Sequence, residues 1–476
     1  MKKTGFVFKT VLTTVSSALV LASIGGCTSS YTPPPAAVTK SSFTGIPGNE
    51  HQKIAISEKY LTLEEAQNIA IRNNPSFRTK YYAVTAARSA YYAAFAPYMP
   101  SVSMNFSMTQ SNVRHNRYRD MNVDSRGFNL TPGVNASWLI FDSCAREMNL
   151  LAAKHGWKRS EALELDARRI LVRDVAYAYN NVLLAREKIR IAEQDMAFQD
   201  SQLKENELKF EVGSVTLSDV LNFKAYYNSA ESNLFAAQYN FASYKYALAV
   251  LMGLTEGKLP DDIKFPGMLS ADGEVLSPLS VYLDMALANR PDLKAYREAL
   301  EIAKYNYYGS MSSFGPKAYF NASLAYNYNR SKSLRDGANN NNISHVDNFS
   351  HSYGINVSWD IFSGGATFFN MRAAQAAMFQ SDFELANNWI NTIAEVRMAY
   401  DNYITALKQV KLSQKNLELS RKIRDLVDEE YRAGNTELTR LNEAQRDFVD
   451  NETTLATYVI EMHNAKAKLI AVTGGY

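Results

Sequence analysis

The chain has 476 residues, 46% of them hydrophobic, and a formal net charge of +3, and this length allows two or three domains or a long repeat protein. Three of its 51 Lys and Arg residues lie within residues 1–26, which contain no acid, so the rest of the chain balances its 48 acidic side chains with as many basic ones. This balance excludes the polybasic surface of a nucleic-acid-binding protein. After the N-terminus, no run of about 18 uninterrupted apolar residues predicts a membrane-spanning helix.

The N-terminus has the pattern of a secretory signal, in which a basic start and an apolar run are followed by small residues. The stretch Ile24-Gly25-Gly26-Cys27 resembles a bacterial lipobox, so we expect Cys27 to become the lipidated first residue and to carry palmitate. Thr28 after it resembles lipoproteins that are sent on to an outer membrane. Ordinary signal cleavage beside an incidental Cys is the alternative. If Cys27 is acylated, Cys144 has no partner within the chain and no disulfide is expected.

The remaining chain contains two copies of one unit. Residues 73–108 align without a gap with residues 289–324 at an offset of 216, and from residues 138 and 359 onward the copies align at an offset of 221. The only length difference, five residues, lies between these two blocks. This agreement predicts an internal duplication.

Each copy predicts two shorter helices, two strands around a polar loop, a very long helix, a glycine turn and a last helix. The helices are predicted at 61–73, 75–96, 144–212 and 216–252 in the first copy, and at 279–289, 291–312, 366–433 and 437–472 in the second. Each long helix lacks Pro, shows a narrow apolar seam at coiled-coil spacing and would extend on the order of 100 Å. The turns KFEVGSVTLSDVL and EYRAGNTELTRLN place Gly213 and Gly434 at the tips of the two helical hairpins.

The strand segments alternate strictly between apolar and polar residues. In SVSMNFSMT, Val102, Met104, Phe106 and Met108 share one face, and YFNASLAYNYN and GINVSWDIF repeat the pattern. Such alternation over roughly ten residues is typical of a membrane-barrel strand, although a half-buried strand of a soluble sandwich is the alternative. The polar segments SNVRHNRYRD and DGANNNNISH are predicted to be solvent-facing loops.

Aromatic residues stand at equivalent strand ends in the two copies. Trp138 and Phe141 in the first copy match Trp359 and Phe362 in the second. This placement predicts an interfacial aromatic girdle, and simple core packing is the alternative.

Four strands cannot close a membrane barrel, because known barrels begin at about eight strands and an open sheet edge is not stable in lipid. The missing strands must therefore come from other copies of the chain. Two, three or four copies in a ring would supply eight, twelve or sixteen strands. A barrel that continues into a wall of long helices is a conduit.

These features together resemble the TolC family of outer-membrane efflux proteins, in its lipid-anchored branch. The resemblance covers about residues 60–475, and its most specific marks are LTLEEAQNIAIRNNP, VGSVTLSDVL and the WxIF junctions. It implies an α+β membrane protein in which a homotrimer forms a twelve-stranded β-barrel, four strands per chain, continuous with an α-helical coiled-coil barrel. The barrel would lie in the outer membrane of a Gram-negative bacterium, with the helical tunnel in the periplasm.

The resemblance also implies a division of the chain into five parts. These are a lipoprotein signal peptide, a lipid-anchored tether, a first efflux repeat, an equatorial linker and a second efflux repeat, at residues 1–26, 27–58, 59–254, 255–278 and 279–476.

The implied function is an exit duct. The tunnel would dock onto a periplasmic adaptor (membrane fusion) protein, which links it to an inner-membrane pump, either proton-driven or ABC. Drugs or toxic small molecules would pass through without chemistry; the alternative is a duct for type I secretion of proteins or adhesins. A lipid-anchored adhesin or structural coiled coil is a rival from another class, and it leaves the alternating strands unexplained.

The resemblance also points to a gate at the hairpin tips. In the family, an Asp of the first turn bonds to a Tyr and an Arg of the second turn; by position these are Asp219, Tyr431 and, in place of Arg, Thr436. Two lumen-facing acids of the second repeat fall on Arg440 and Glu443. We hypothesise that Asp219–Arg440 pairs replace the missing bridge. The alternative is local: Asp219 caps its own helix and Arg440 is solvated.

No catalytic chemistry is expected. The six His residues are scattered, and the sequence has neither a nucleophile motif nor a phosphate-binding loop. We therefore predict no enzyme, no cofactor and no metal site.

Overall fold

The computed structural model describes residues 60–118, 121–260, 262–270, 272, 276–335 and 342–475. For the described residues within 114–124 and 333–342 it describes the backbone alone. These residues belong to one compact unit, Lys59–Tyr476. The first copy of the repeat contains α1 (Leu63–Asn73), α2 (Pro75–Ala93), β1 (Ser101–Tyr118), β2 (Met121–Phe141), α3 (Ala145–Glu211) and α4 (Leu217–Leu251). The second copy contains α5 (Leu279–Asn289), α6 (Pro291–Met311), β3 (Lys317–Arg335), β4 (Asn342–Ser358), α7 (Ala366–Arg432) and α8 (Leu438–Val472).

Three of the four pairs of equivalent helices have equal lengths, and the fourth pair, α2 and α6, contains 19 and 21 residues. Helices α3 and α7 contain 67 residues each, α4 and α8 contain 35 each, and α1 and α5 contain 11 each. The long helices begin and end within one residue of the predicted positions. Their C-terminal ends lie where predicted because the turn glycines Gly213 and Gly434 adopt φ values of 76° and 74°, which end a helix. In the described part of the chain, no helix is apolar enough over its length to be a candidate membrane span.

The strands form one antiparallel sheet in the order β1-β2-β3-β4. They contain 18, 21, 19 and 17 residues, so they extend well beyond the alternating stretches seen in the sequence. Most of the predicted loop SNVRHNRYRD lies in β1, where Val113 pairs with Ser125 and Tyr118 with Met121. Polar segments can continue a ladder because the backbone alone makes its hydrogen bonds. Conversely, β4 ends at Ser358, before the Trp359 and Ile361 that were predicted to belong to it.

The passage from strand to long helix differs between the copies. Ser143 and Cys144 have φ values of 58° and 70°, whereas Gly364 and Gly365 occupy the matching positions with 64° and 86°. The Ser143 hydroxyl donates a hydrogen bond to the Pro316 carbonyl at 2.9 Å. A Cβ atom on Gly315 would lie 2.1 Å from the Ser143 Oγ, so this close approach requires Gly at position 315.

A hydrophobic core lies where the linker between the copies crosses the first copy. Leu61, Val175, Val182 and Phe265 are buried in it, and Val175 and Val182 belong to the apolar seam of α3. The buried Tyr179 hydroxyl donates to the Leu61 carbonyl at 2.8 Å, and burial raises the pKa of Tyr179 to about 12. The core therefore fixes the middle of α3, from which the hairpin extends to its turn.

Candidate functional sites

The turn between α3 and α4 is the first part of the candidate gate. Gly213 has a positive φ, and the Ser214 amide donates to the Lys209 carbonyl at 2.8 Å, which closes the end of α3. Helix α4 then begins with a capping box. The Asp219 amide donates to Thr216 Oγ1 at 3.3 Å, and the Thr216 amide donates to Asp219 Oδ2 at 3.1 Å. Its own helix thus holds the Asp219 carboxylate in place.

The turn between α7 and α8 repeats this backbone without the cap. Gly434 again has a positive φ, and the Asn435 amide donates to the Glu430 carbonyl at 2.9 Å. Glu437 stands at the N-cap of α8, where its side chain caps nothing. The second hairpin therefore begins α8 without the local bonds that fix Asp219 in the first.

Arg440 occupies the position that Asp219 has in the first turn, and it lies 3.6 Å from Glu443. Both of these side chains are more than half exposed. A cation in the first turn faces the positive end of the helix dipole, so Arg440 does not stabilise α8 locally as Asp219 stabilises α4. Within the described residues, Arg440 and Asp219 form no ion pair with each other.

Tyr431 joins the second hairpin to α3. Its hydroxyl donates to Oδ1 of Asn206 at 3.1 Å, and its ring faces Phe223 and the ammonium group of Lys209. Burial raises the pKa of Tyr431, and the negative charge of Asp219 raises it further. Asp219 therefore acts on Tyr431 through its charge, while the hydrogen bond of Tyr431 goes to Asn206.

Buried amides that the sequence analysis missed continue this contact. Asn206 is fully buried and donates to the Gln202 carbonyl at 2.8 Å, and Gln202 in turn donates to Asp428 at 3.2 Å. Because Asp428 and Tyr431 both belong to α7, these bonds hold the tip of the second hairpin against α3.

A second polar contact lies farther along α3. The buried Gln445 of α8 donates to Asp195 Oδ1 at 2.8 Å, and the Oε1 atoms of Gln445 and of the neighbouring Gln199 have no partner in the described structure. Burial raises the pKa of Asp195, and the hydrogen bonds from Gln445 and Gln199 oppose that shift. This part of the interface between hairpins is therefore held by few bonds around a disfavoured charge.

The aromatic residues at the strand ends are fixed in the same way in both copies. Trp138 Nε1 donates to the Tyr98 carbonyl at 3.1 Å, and Trp359 Nε1 donates to the Phe314 carbonyl at 2.9 Å. The rings of Trp138 and Trp359 remain exposed, as do those of the predicted girdle residues Phe141 and Phe362. A satisfied N–H beside an exposed ring suits the boundary between lipid and water.

The remaining predictions concern the two cysteines and metal binding. Cys27 lies outside the described residues, and Cys144 is an exposed free thiol. Within the described part, no group of three His, Cys, Asp or Glu side chains could hold a metal ion.

Known proteins with the same architecture were found by sequence and by structure. The chain is 24% identical to the alkaline protease secretion protein AprF of Pseudomonas aeruginosa over 85% of this chain and 81% of AprF. It is also 24% identical to the outer membrane efflux protein BepC of Brucella suis over 88% of this chain and 86% of BepC. The outer membrane channel CmeC of Campylobacter jejuni superposes with a TM-score of 0.73 at 19% identity, over 87% of this chain and 85% of that chain.

The superposition shows that the fold is that of a channel with a helical tunnel and a β-barrel. The family model described as "Outer membrane efflux protein" matches residues 67–254 and 282–475, one match for each copy of the repeat. This is a family of transport channels and not of enzymes. The chain therefore belongs to the outer membrane efflux protein family.

Proposed function

We propose that this protein is the outer-membrane exit duct of a tripartite export system. One observation carries the proposal: a four-stranded open sheet with an exposed apolar face continues into two helical hairpins of 67 and 35 residues each. The apolar side chains Val102, Met104, Phe106 and Met108 are all exposed on β1. A sheet with this face is suited to lipid, and the hairpins are suited to the wall of a tunnel.

The duct is a homotrimer in this proposal. Strands β1 and β4 each have one edge that no described strand of the chain pairs. Backbone groups at such an edge cost several kcal/mol each in lipid, so another copy of the chain must pair them. Three copies, with β4 of one beside β1 of the next, give a closed twelve-stranded barrel.

The helical tunnel lies in the periplasm and closes at the hairpin turns. Asp219, Tyr431, Arg440 and Glu443 form the gate, and Gly213 and Gly434 shape its tips. The local geometry supports a role for Arg440 between hairpins, because a cation in the first turn of α8 opposes the helix dipole and its ion pair with Glu443 is solvent-exposed in the described structure.

The N-terminal residues anchor the duct. Residues 1–26 are the lipoprotein signal, and residues 27–58 tether the lipidated Cys27 to the first repeat, 59–254. Residues 255–278 are the equatorial linker, and 279–476 are the second repeat. The girdle of Trp138, Phe141, Trp359 and Phe362 marks one membrane boundary of the barrel.

The partners are a periplasmic adaptor protein and an inner-membrane pump, and the cargo is drugs or toxic small molecules. The name of the relative BepC describes efflux, and OpmQ, 23% identical over 79% of this chain, is named for pyoverdine export. The name of AprF, which describes secretion of a protease, favours type I protein secretion as the second candidate.

A deletion strain separates the two functions. An efflux duct predicts greater sensitivity to dyes, detergents and antibiotics, restored by the wild-type gene, with an unchanged set of secreted proteins. A type I secretion duct predicts unchanged drug sensitivity and the loss of a large protein from the medium or cell surface. A deletion strain with unchanged drug sensitivity and an unchanged set of secreted proteins would contradict both functions.

A further inference from the structure

The second hairpin packs on the first within one chain, through α8 and α3. The internal repeat relates α8 to α4 and α3 to α7 at an offset of 221 residues. The same contact can therefore be formed a second time, between α4 of one subunit and α7 of another. If this second contact forms, the residues equivalent to those of the first contact should be complementary in charge, hydrogen bonding and apolar surface.

An ion pair in the first contact has a counterpart of the same sign. Arg190 of α3 contacts Glu452 of α8 at 2.7 Å. The offset relates Arg190 to Lys411 and Glu452 to Glu231. No described side chain of the same chain forms an ion pair with either Lys411 or Glu231, so both charges are available to a partner.

Two further contacts are also matched. The Asn180 amide donates to Asn464 Oδ1 at 2.8 Å, and the counterparts Asp401 and Ser243 can form the hydrogen bond from a hydroxyl to a carboxylate. Arg169 donates to the Ala471 carbonyl at 2.8 Å. The counterparts of this last pair are both apolar and both exposed; they are Ile390 and Val250.

The burial of the apolar residues shows the same relation. Ile460 of α8 is 1% exposed and Ile191 of α3 is 3% exposed. Their counterparts Tyr239 of α4 and Leu412 of α7 are 74% and 61% exposed in the single chain. Large apolar side chains exposed at positions that are buried in the other copy indicate a surface that another protein covers.

The strand-to-helix junction gives an independent steric match. Within the chain, Gly315 leaves the space that the Ser143 side chain fills. The counterpart of Gly315 is Met99, and the counterpart of Ser143 is Gly364. In the second pairing the glycine stands on the other side, because Met99 replaces Gly315 and Gly364 replaces Ser143. Met99 is exposed, and nothing lies within 4 Å of a Cβ atom built on Gly364.

We infer that α4 of one subunit packs against α7 of the next, with Glu231 bonded to the partner's Lys411, Ser243 to the partner's Asp401, and Val250 against the partner's Ile390. The inference rests on the proposed ring of three chains and assigns the residues of its seam. Each hairpin then has a neighbouring hairpin on both sides, one in its own chain and one in the partner.

Paired cysteines test this seam in full-length protein in membranes. In a Cys144→Gly background, which copies the glycine at position 365, E231C/K411C should be joined by a short bismaleimide into covalent dimers and trimers. The matched pair R190C/E452C occupies the equivalent positions of the in-chain contact, so it should react and stay at monomer size. The single variants E231C and K411C should give no covalent oligomer.

Charge reversal gives a second readout. K411E and E231K should each lower the yield of trimer several-fold on native gels, and the double reversal should restore it. K204E is the control, because Lys204 is exposed and, among the described residues, forms its ion pair with Asp200 of its own helix.

The outcomes separate the inference from the proposed function. Wild-type trimer on a native gel with only monomer from E231C/K411C overturns the seam and leaves the duct standing. Covalent oligomers from R190C/E452C also overturn it, because that contact would then lie between chains. A wild-type protein that is never trimeric overturns the trimer of the proposed function, and the seam with it.

Discussion

The hydroxyl of Tyr431, in the last turn of α7, donates a hydrogen bond of 3.1 Å to the fully buried Asn206 of α3. This bond connects the tips of the two hairpins of one chain. The side-chain N–H of Asn206 donates to the Gln202 carbonyl. In the described structure, the side-chain oxygen of Asn206 accepts its hydrogen bond from the Tyr431 hydroxyl. An opening of the tip that moves α7 away from α3 must break this bond.

Tyr431→Phe should therefore weaken the closed tip. The substitution leaves the Asn206 oxygen buried without a donor, at a cost of about 1–3 kcal/mol. We expect more frequent channel openings in planar bilayers than for wild type. Tyr82→Phe is the control, because it removes an exposed hydroxyl for which the structure shows no hydrogen bond. Equal opening frequencies for wild type and Tyr431→Phe would exclude a latch at this bond.

A comparison of the single variants Thr216→Ala and Asp219→Ala separates capping from gating. Both remove the capping box and should destabilise the start of α4 by about 0.5–2 kcal/mol, but only the second removes the carboxylate. If the carboxylate holds the gate, Asp219→Ala and Arg440→Ala should raise conductance while Thr216→Ala does not. If Thr216→Ala and Asp219→Ala raise it equally, capping alone accounts for Asp219.

The half-buried Asp195 predicts a pH dependence of stability. Its pKa is raised in the folded protein, so the fold favours the protonated carboxyl. The stability that this provides is present below the unfolded pKa of about 4 and is lost as pH rises through the raised folded pKa.

Asp195→Asn removes the charge and keeps an amide in the same place. We expect it to unfold at a higher temperature than wild type at neutral pH, with the difference vanishing in acid. Thermal unfolding in detergent from pH 3 to 8 measures this, with the exposed Asp447→Asn as the control. A variant that is less stable than wild type at neutral pH would contradict the account of Asp195.

The close approach at the junction predicts a rescue. Gly315→Ala should disturb the passage from β2 to α3, because its Cβ would lie 2.1 Å from the Ser143 hydroxyl. Ser143→Gly, which copies the second repeat, removes that hydroxyl and suits the φ of 58°. The yield of folded trimer should fall for Gly315→Ala and recover in the double variant; if it does not recover, Ser143 is not the obstacle.

Much of the helical fold could be predicted from the sequence, and the extent of the strands could not. Gly213 and Gly434 mark helix ends locally, so the bounds of the long helices were accurate. The length of a strand depends on how far it pairs with another strand, which its own residues do not show. Val113 lies in a polar stretch that reads as a loop, and only its pairing with Ser125 makes it part of β1.

The candidate site was predicted in part. Position and motif located Asp219 and Tyr431, but the resemblance suggested that they bond to each other, whereas Tyr431 bonds to Asn206. The buried amides were missed because Gln and Asn on a helix usually face water. A signal was present, since Asp195, Gln199, Gln202 and Asn206 follow one another at spacings of four, three and four, which place them on one face of the helix.

The most direct test of the duct is a cryo-electron microscopy map of the full-length protein in detergent. We expect three chains around one axis, β4 of each paired with β1 of the next, and a hollow twelve-stranded barrel continuous with a helical tunnel. Particles with a single chain, or a ring in which the edges of β1 and β4 remain unpaired, would contradict it.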